Sequence, residues 1–449
     1  MKLVWLRSDL RLNDNPALYS ACQSGEPVAV VFVATPRQWQ QHHWGNNKIS
    51  FIAAQLQSLR QHLNQRNIAL HISCCDDFSA QPQHLHALMQ QLGASWLLYN
   101  AEHGYNEQVR DNAVAATLTQ AGLGWQRFAE HNLLAPEQIR TGKGEPYRVF
   151  TPFMKKARRW LSDFPPQPLP APAIQPFAVL EQLNHWQQIP TYQLQWPVGE
   201  DAAWQQLQHF CQDAMNDYQH GRDIPAINGT SRLSPYLTIG VLSSVAVYHY
   251  LQQRMPHGDG ATTWINELLW REFYRYLMHH FPALSKNQAM YPHKEPKWDH
   301  NPAWFARWQQ GNTGFPMVDA GMRELAQTGW MHNRLRMLCA SFLVKDLHLD
   351  WRLGEAHFMT LLIDGDFASN NGGWQWAAGC GADAAPYFRH FSPTRQAQRF
   401  DPKQQYQTRY VPELADGRQS YSQPMVDHKQ QCQQFSQRVK ALSPKTATD

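Results

Sequence analysis

A change of hydrophobic period across a proline-rich break constrains this chain more than any other feature. Eight prolines fall between residues 165 and 197, in FPPQPLPAPAIQPF and its continuation. Proline fixes φ and donates no backbone hydrogen bond, so no helix or interior strand runs through such a stretch. It reads as an extended connector. On its N-terminal side, short apolar runs alternate with amphipathic segments. LVWL (3–6), VAVVFVA (28–34), ALHIS (69–73), SWLLYN (95–100) and WQRFA (125–129) are predicted strands. Between them, PALYSACQSG, ISFIAAQLQSLRQHLNQR, QHLHALMQQLG and NEQVRDNAVAATLTQAG have helical spacing. Strands alternating with helices imply a doubly wound parallel sheet of Rossmann-like α/β type. After about residue 200 the period becomes 3.6 residues, in WQQLQHFCQDAMNDYQHGRD, TTWINELLWREFYRYLMHHF, VDAGMRELAQTGW and NRLRMLCASFLVKDLHLDW. The expected organisation is an α/β domain over 1–135, a Pro-rich connector over 136–199 and an all-α domain over 200–449. The polar, Gln-rich tail after 403 is expected to pack loosely. A chain of 449 residues is long enough for more than one core.

Composition excludes several classes. No run of 18 apolar residues occurs, so no membrane span is expected. MKLVWLRSDLRL carries charges inside its apolar run and does not read as a secretory signal. The seven cysteines form no CxxC pair, which points to a reduced, cytoplasmic protein without a metal site. A net charge of +4 is a weak pointer to a polyanionic partner. The eighteen tryptophans exceed what packing requires and suggest stacking on bases or electron transfer.

No GxGxxG follows the first strand, which runs into RSDLRLNDNP, so a nicotinamide site is not supported. GCGADA (379–384) follows no strand, and TGKGEP (141–146) lacks phosphate-loop spacing. NGTSRLSPYLTIG (228–240) sets Thr230, Ser231 and Ser234 just before a helix, an arrangement that suits phosphate or a simple cap. In INELLWREFYRYL (265–277), Glu267, Trp270, Arg271 and Tyr274 share one helical face. Acid, aromatic and cation together are odd for a core. GWMHNRLRM (329–337) gathers Asn333, Arg334, Arg336 and Met337. DGDFASNNGGWQWAAG (364–379) packs two acids, two asparagines and two tryptophans into sixteen positions. Its Asp364 and Asp366 lack nearby ligands for a metal and suit an arginine or a ligand's imide N–H better. YFRHFSPTRQAQRFDPK (387–403) interleaves Arg389, Arg395, Arg399 and Lys403 with aromatics, a mix that suits a phosphate backbone next to bases.

Together, TSRLS, WINELLWREFYR, TGWMHNRLRM, FLVKDL..DWR and LIDGDFASNNGGWQWAAG resemble the DNA photolyase/cryptochrome family, most nearly its bacterial class I cyclobutane pyrimidine dimer photolyases. VWLRSDLRLNDNPAL and ATPRQW extend the resemblance over most of the chain. The resemblance implies an antenna-binding α/β domain and a helical FAD domain that repairs pyrimidine dimers in DNA. Excited, reduced anionic FAD donates an electron to a flipped-out dimer, the ring splits, and the electron returns. In this reading Tyr218, Thr230, Ser231, Arg232, Leu233 and Ser234 hold the flavin's phosphates and nearby parts, and Trp264, Glu267 and Arg271 line the same region. Asn333, Arg336, Asp364, Asp366 and Asn370 surround the isoalloxazine, with Arg336 paired to Asp364 and Asn370 beside N5. Trp270 and Trp376 clamp the dimer, Glu267 hydrogen-bonds it, and Asn333 and Met337 complete the pocket. Arg222, Arg271, Arg334, Arg389, Arg395 and Arg399 bind flanking phosphates.

Trp374, Trp351 and Trp298 resemble the family's route for photoreducing oxidised FAD. His42, Asn106, Glu107 and Lys286 match positions that contact methenyltetrahydrofolate in folate-using members. Ser285 stands where some members have cysteine, and a deazaflavin antenna stays open. The implied enzyme is a cytoplasmic, monomeric carbon–carbon lyase. The alternatives are a blue-light-sensing cryptochrome and, behind it, a (6-4) photolyase, which should carry histidine at Met337. A DASH-type cryptochrome tends to tyrosine at Trp376. About 60 residues follow Arg389, fewer than the long extension common in signalling cryptochromes. A reading without resemblance is a nonspecific nucleic-acid binder with a Rossmann-like arm.

Overall fold

The computed structural model describes residues 1–129, 132–187, 189–191, 193, 196–255, 258–384, 389–415, 421 and 423–442. Five strands form one parallel sheet: β1 (Lys2–Leu6), β2 (Val28–Ala34), β3 (Ala69–Cys74), β4 (Trp96–Asn100) and β5 (Gly124–Phe128), in the order β3-β2-β1-β4-β5. Every residue of β2 is buried, as expected of a strand covered on both faces. The intervening helices start where local chemistry allows. Asn15 caps Pro16–Cys22 by accepting from the Leu18 N–H at 3.2 Å, and Pro16, Pro36 and Pro82 occupy first turns, where a missing N–H is harmless.

The proline-rich segment is fastened rather than loose. Asp14 and Leu169 exchange bonds of 2.8 and 2.9 Å, Gln175 N donates to Arg66 O, and Asn184 bridges Ile72 on β3. Laying chain along β3 protects an otherwise open sheet edge. Within 136–199 the structure also holds a helix that the connector reading had no place for, Phe150–Asp163. Its Phe153, Ala157 and Leu161 are buried, a 3.6-residue stripe that outweighs the prolines on either side.

Among the described residues no strand follows Phe128, and the elements after it are all helices. Two compact units emerge. One is Met1–Asp213 with Ser231–Pro282, and the other is Ala214–Thr230 with Ala283–Asp449. The division does not fall at the prolines: the helices Glu200–Asp213, Ser244–Arg254 and Asp259–His280 group with the sheet. NRLRMLCASFLVKDLHLDW is not one helix. It runs as α-helix over Asn333–Ser341, opens into a π turn at Phe342–Asp346, and breaks at His348, whose φ is 55°. A new helix, Trp351–Leu361, starts under an Asp350 cap. The described part of the tail includes the helices Gln405–Tyr410 and His428–Lys440, with Tyr406 and Phe435 at 0% and 1% exposure. Val411 and Leu414 are buried as well, so several apolar anchors hold an otherwise polar segment. No helix of the described residues is long and apolar enough to cross a membrane.

Candidate functional site

In the second unit, DGDFASNNGGWQWAAG becomes a helix, Phe367–Ala378. Asp366 caps it by accepting from Ser369 N at 2.9 Å, and Gly379 ends it at φ 83°. Asp364, just before the cap, accepts two bonds from Arg336 Nη2, at 2.8 and 3.0 Å, while Arg336 Nε donates to Met331 O at 2.8 Å. Asp364 is buried, so the guanidinium is the countercharge that lets its carboxylate stay there. One helical turn on, Asn370 Nδ2 donates to Glu355 O at 2.9 Å. Burial pushes the Glu355 carboxyl up to about 7 against the pull of Asn370 and Arg352, and its Oε1 has no hydrogen-bond partner among the described residues.

Asn333 and Met337 meet at one helical turn, Nδ2 to Sδ 3.9 Å, with Asn333 exposed. Arg334 is tied down: Nη2 donates to Asp223 at 2.5 Å, and its guanidinium lies 4.4 Å over the Phe400 ring. Arg389, Arg395 and Arg399 are exposed, the last two on the helix Pro393–Phe400. Tyr387 and Phe388, which open the basic segment, lie outside the described residues. Trp376 is half-buried against Phe391, ring centroids 6.0 Å apart. Trp374 is buried and meets Phe358 and Trp308 edge-on at 5.0 and 6.0 Å. Trp351 and Trp298 both donate indole N–H to Glu295 Oε1, at 3.1 and 2.9 Å. Tyr218 is buried, Arg222 and Thr230 are half-buried, and Ser285 and Lys286 sit in a 3-10 turn of this unit.

In the first unit, SRLS (231–234) is strained at Arg232, whose φ of 51° is unusual for any residue but glycine. Such outliers cluster where a ligand or another chain must be approached. Ser231 O accepts from Gln206 Nε2 at 3.0 Å, and Leu233 precedes the short helix Ser234–Thr238. Arg271 donates to Leu237 O at 2.9 Å and to Glu272 at 3.0 Å, so the adjacent, buried Glu272 joins the Glu267–Arg271 face. Glu267 is half-buried and Trp264 buried. One face of Trp270 is taken by Phe150, stacked at 3.7 Å and 11°.

The C-terminal ends of β1 and β4, where strand order reverses and open α/β sheets usually bind ligands, are filled by the protein itself. Asn100 Nδ2 donates to Asp9 and Asn15 at 2.6 and 2.9 Å; Arg7 and Arg110 both pair with Asp111 and lie 4.2 and 4.9 Å over Trp5. RSDLRLNDNP is therefore a plug in place of a phosphate loop. Beside it, Gln38 and Asn106 donate to His42 Nε2 at 2.9 and 3.0 Å. Burial, with Lys48, Arg110 and His43 nearby, pushes His42 down to about 4, so the ring is neutral. Burial and Glu102 push Glu107 up to about 7. His42, Asn106 and Glu107 belong to this unit, and Ser285 and Lys286 to the other.

Asp346, His428 and Cys432 come within 4.8 Å of one another. Cys432 Sγ lies 3.6 and 3.8 Å from the two ring nitrogens, over the imidazole face rather than along a lone pair. This is an Asp–His ion pair, Asp346 buried and His428 half-buried, with a sulfur packed on it.

Asp223, Glu272, Glu295, Glu355, Phe150 and Trp308 were not legible as site residues. Each acts through a partner that folding brings to it, and only Glu272, next to Arg271, had a local signal.

The chain thus joins a parallel α/β unit and a helical unit in which the buried Asp364, paired with Arg336, precedes a glycine-bearing, tryptophan-rich helix, the two-part makeup of an α/β and helical flavoprotein class. Residues 2–173 match the DNA photolyase family model, and residues 264–421 match the FAD binding domain of DNA photolyase. The chain is 43% identical to a deoxyribodipyrimidine photo-lyase of Salmonella typhimurium, over 95% of this chain and 96% of the relative. It is 41% identical to that of Escherichia coli, over 95% and 96%. Among solved structures, a class III photolyase from Agrobacterium tumefaciens superposes with a TM-score of 0.90 at 33% identity, covering 98% of this chain and 97% of that one. A Synechocystis cryptochrome superposes at 0.88 and 27%, covering 98% and 99%. The chain belongs to the DNA photolyase family.

Proposed function

We propose that this protein repairs cyclobutane pyrimidine dimers in DNA with light, using FAD. The observation that carries the reading is the Arg336–Asp364 pair, with Asp364 just before the cap of the helix that carries Asn370. A Cβ on Gly373, in the same helix, would meet open space, and Glu355 Oε1 lies unpartnered next door. A cradle and a polar edge of this kind fit a flat, hydrogen-bonding ring system.

When bound, reduced FAD supplies on illumination the electron that opens the cyclobutane ring and takes it back. The chain's residues do the rest. Asn370 has its N–H group engaged by Glu355 O, so its Oδ1 is left to accept from the N5 edge. Asp364, held in place by Arg336, accepts an imide N–H. Tyr218, Thr230, Ser231, Arg232, Leu233 and Ser234 hold the phosphates, while Trp264, Asp366 and Asn333 close around the cofactor. Photolyases are a standing case of enzymes that act on an extruded base, and a dimer, which stacks badly, costs less to extrude than the usual few kcal/mol. Trp270, backed by Phe150, and Trp376 stack on it; Met337 and Asn333 bound it. An ionised Glu267 can only accept a hydrogen bond, so bonding to a dimer carbonyl requires it protonated. Arg222, Arg271, Arg334, Arg389, Arg395 and Arg399 hold flanking phosphates without reading sequence.

Trp374, Trp351 and Trp298 carry electrons to oxidised FAD. His42, Asn106, Glu107, Ser285 and Lys286 hold a folate antenna. A pterin released on denaturation supports that assignment, and a deazaflavin released instead replaces it. The protein works as a cytoplasmic monomer. Incubating it, with reduced FAD, with a thymine-dimer oligonucleotide should restore thymines under blue light and not in the dark. Dimers left intact under light would overturn the reading.

A further inference from the structure

We infer that Glu295 is a positioning residue for electron transfer: its charge makes Trp351 and Trp298 better donors than Trp374, and so drives an electron hole outward. The inference rests on reading Trp374, Trp351 and Trp298 as the electron route. One carboxylate oxygen accepts from two of the three indoles, Trp298 at 2.9 Å and Trp351 at 3.1 Å. Among the described residues no carboxylate accepts from the Trp374 indole, whose surroundings are Phe358, Trp308 and Leu343. A fixed anion bonded to a ring N–H stabilises that ring once it has lost an electron, and more so where water is scarce. Trp351 is fully buried.

The neighbouring charges set the direction. Arg352 donates to both Glu295 oxygens, at 2.5 and 3.2 Å, and also to Asp350 at 3.1 Å. Two carboxylates against one guanidinium leave the cluster one negative charge in excess. Burial would raise the Glu295 carboxyl, but Arg352 and the two indoles hold it below its ordinary value, so it is ionised at neutral pH. The Arg352 guanidinium stands 4.5 Å over the Trp351 ring, which disfavours a hole there; no cation covers the Trp298 ring among the described residues. Lys294 and Lys297 flank Glu295 in sequence, but both are exposed and screened by water. The hole is thus favoured on Trp351 over Trp374, and on Trp298 over Trp351.

Each step balances as a single electron moved. Trp374 gives one electron to light-excited oxidised FAD, Trp351 refills Trp374, and Trp298 refills Trp351. No bond forms or breaks, and Glu295 takes up no proton.

The test is a pair of comparisons by transient absorption on FAD-loaded protein. With Trp298→Phe the hole stops at Trp351. Adding Glu295→Gln, which keeps the acceptor oxygen and removes the charge, should return the hole to Trp374 and speed recombination at least tenfold. With Trp351→Phe the hole stops at Trp374, and adding Glu295→Gln should change recombination by less than twofold. Glu295→Asp should restore slow recombination in the first background. Independently of light, Glu295→Gln should shift the indole N–H resonances of Trp298 and Trp351 and not that of Trp374. No acceleration in the first background, or equal acceleration in both, overturns the inference. If Trp374→Phe leaves photoreduction intact, the tryptophan route itself is wrong and the role of Glu295 falls with it.

Discussion

At Glu355 a carboxyl is buried with one oxygen unpartnered, and the consequence is a pH effect of definite sign. Its folded pKa of about 7 lies above the ordinary 4.5, so the folded state holds the proton after the unfolded chain has lost it. The stabilisation is complete below about pH 4.5 and is lost as pH rises through 7. Glu355→Gln, neutral throughout, should flatten that slope and raise stability at pH 8 by about 1–3 kcal/mol. Denaturant melts at pH 5 and pH 8 measure it, and an unchanged slope would show that the proton sits elsewhere. Other residues at this scale were legible before folding. Asn370, Asp364 and Trp374 lie within eleven positions of sequence, where a helix brings them together without help. Glu355 was not, because LGEAHF carries no sign that its carboxyl will be shut from water.

The helix Phe367–Ala378 depends on two glycines in opposite ways. A Cβ on Gly354, in the helix Trp351–Leu361, would come within 2.1 Å of the Trp374 ring and 2.7 Å of Leu343. Trp374 is buried and has nowhere to go, so Gly354→Ala should destabilise by about 1–3 kcal/mol net, although alanine is the better helix former. A Cβ on Gly373 meets nothing, so Gly373→Ala should stabilise the flavin-free protein by about 0.5–1 kcal/mol and weaken FAD binding. Thermal melts with and without FAD separate the two. A Gly373→Ala protein that binds FAD as tightly as before would place the cofactor elsewhere. The glycines of NNGGWQWAAG stand next to Trp374 in the sequence itself. That the clash belongs to Gly354, twenty residues upstream of Trp374, depends on how two helices pack.

For the whole molecule the measurable property is how salt weakens DNA binding. If Arg389, Arg395 and Arg399 each neutralise a phosphate, each Arg→Gln change should lower the slope of log K against log salt by about 1, with affinity falling equally for damaged and undamaged DNA. A fall confined to damaged DNA would move that arginine from the phosphates to the lesion. The change of period across the prolines announced sheet and helices correctly. That Glu200–Asp213, Ser244–Arg254 and Asp259–His280 group with the sheet unit is not something periodicity can report, because it shows which face of a helix is apolar and not what covers it.

The amino-acid sequence by itself determined the strands, the helical second half, the contiguous flavin-type motifs and the basic segment, since each rests on residues a turn or a strand apart. Tertiary structure alone decided the rest: the plug where the sheet's strand order reverses, Arg334 held by Asp223, and one carboxylate, Glu295, shared by Trp298 and Trp351. Apart from Glu295 with Trp298, those pairings join residues 56 to 111 positions apart, and the free energy that selects them comes from burial and charge neutralisation, which exist only once the chain has closed on itself.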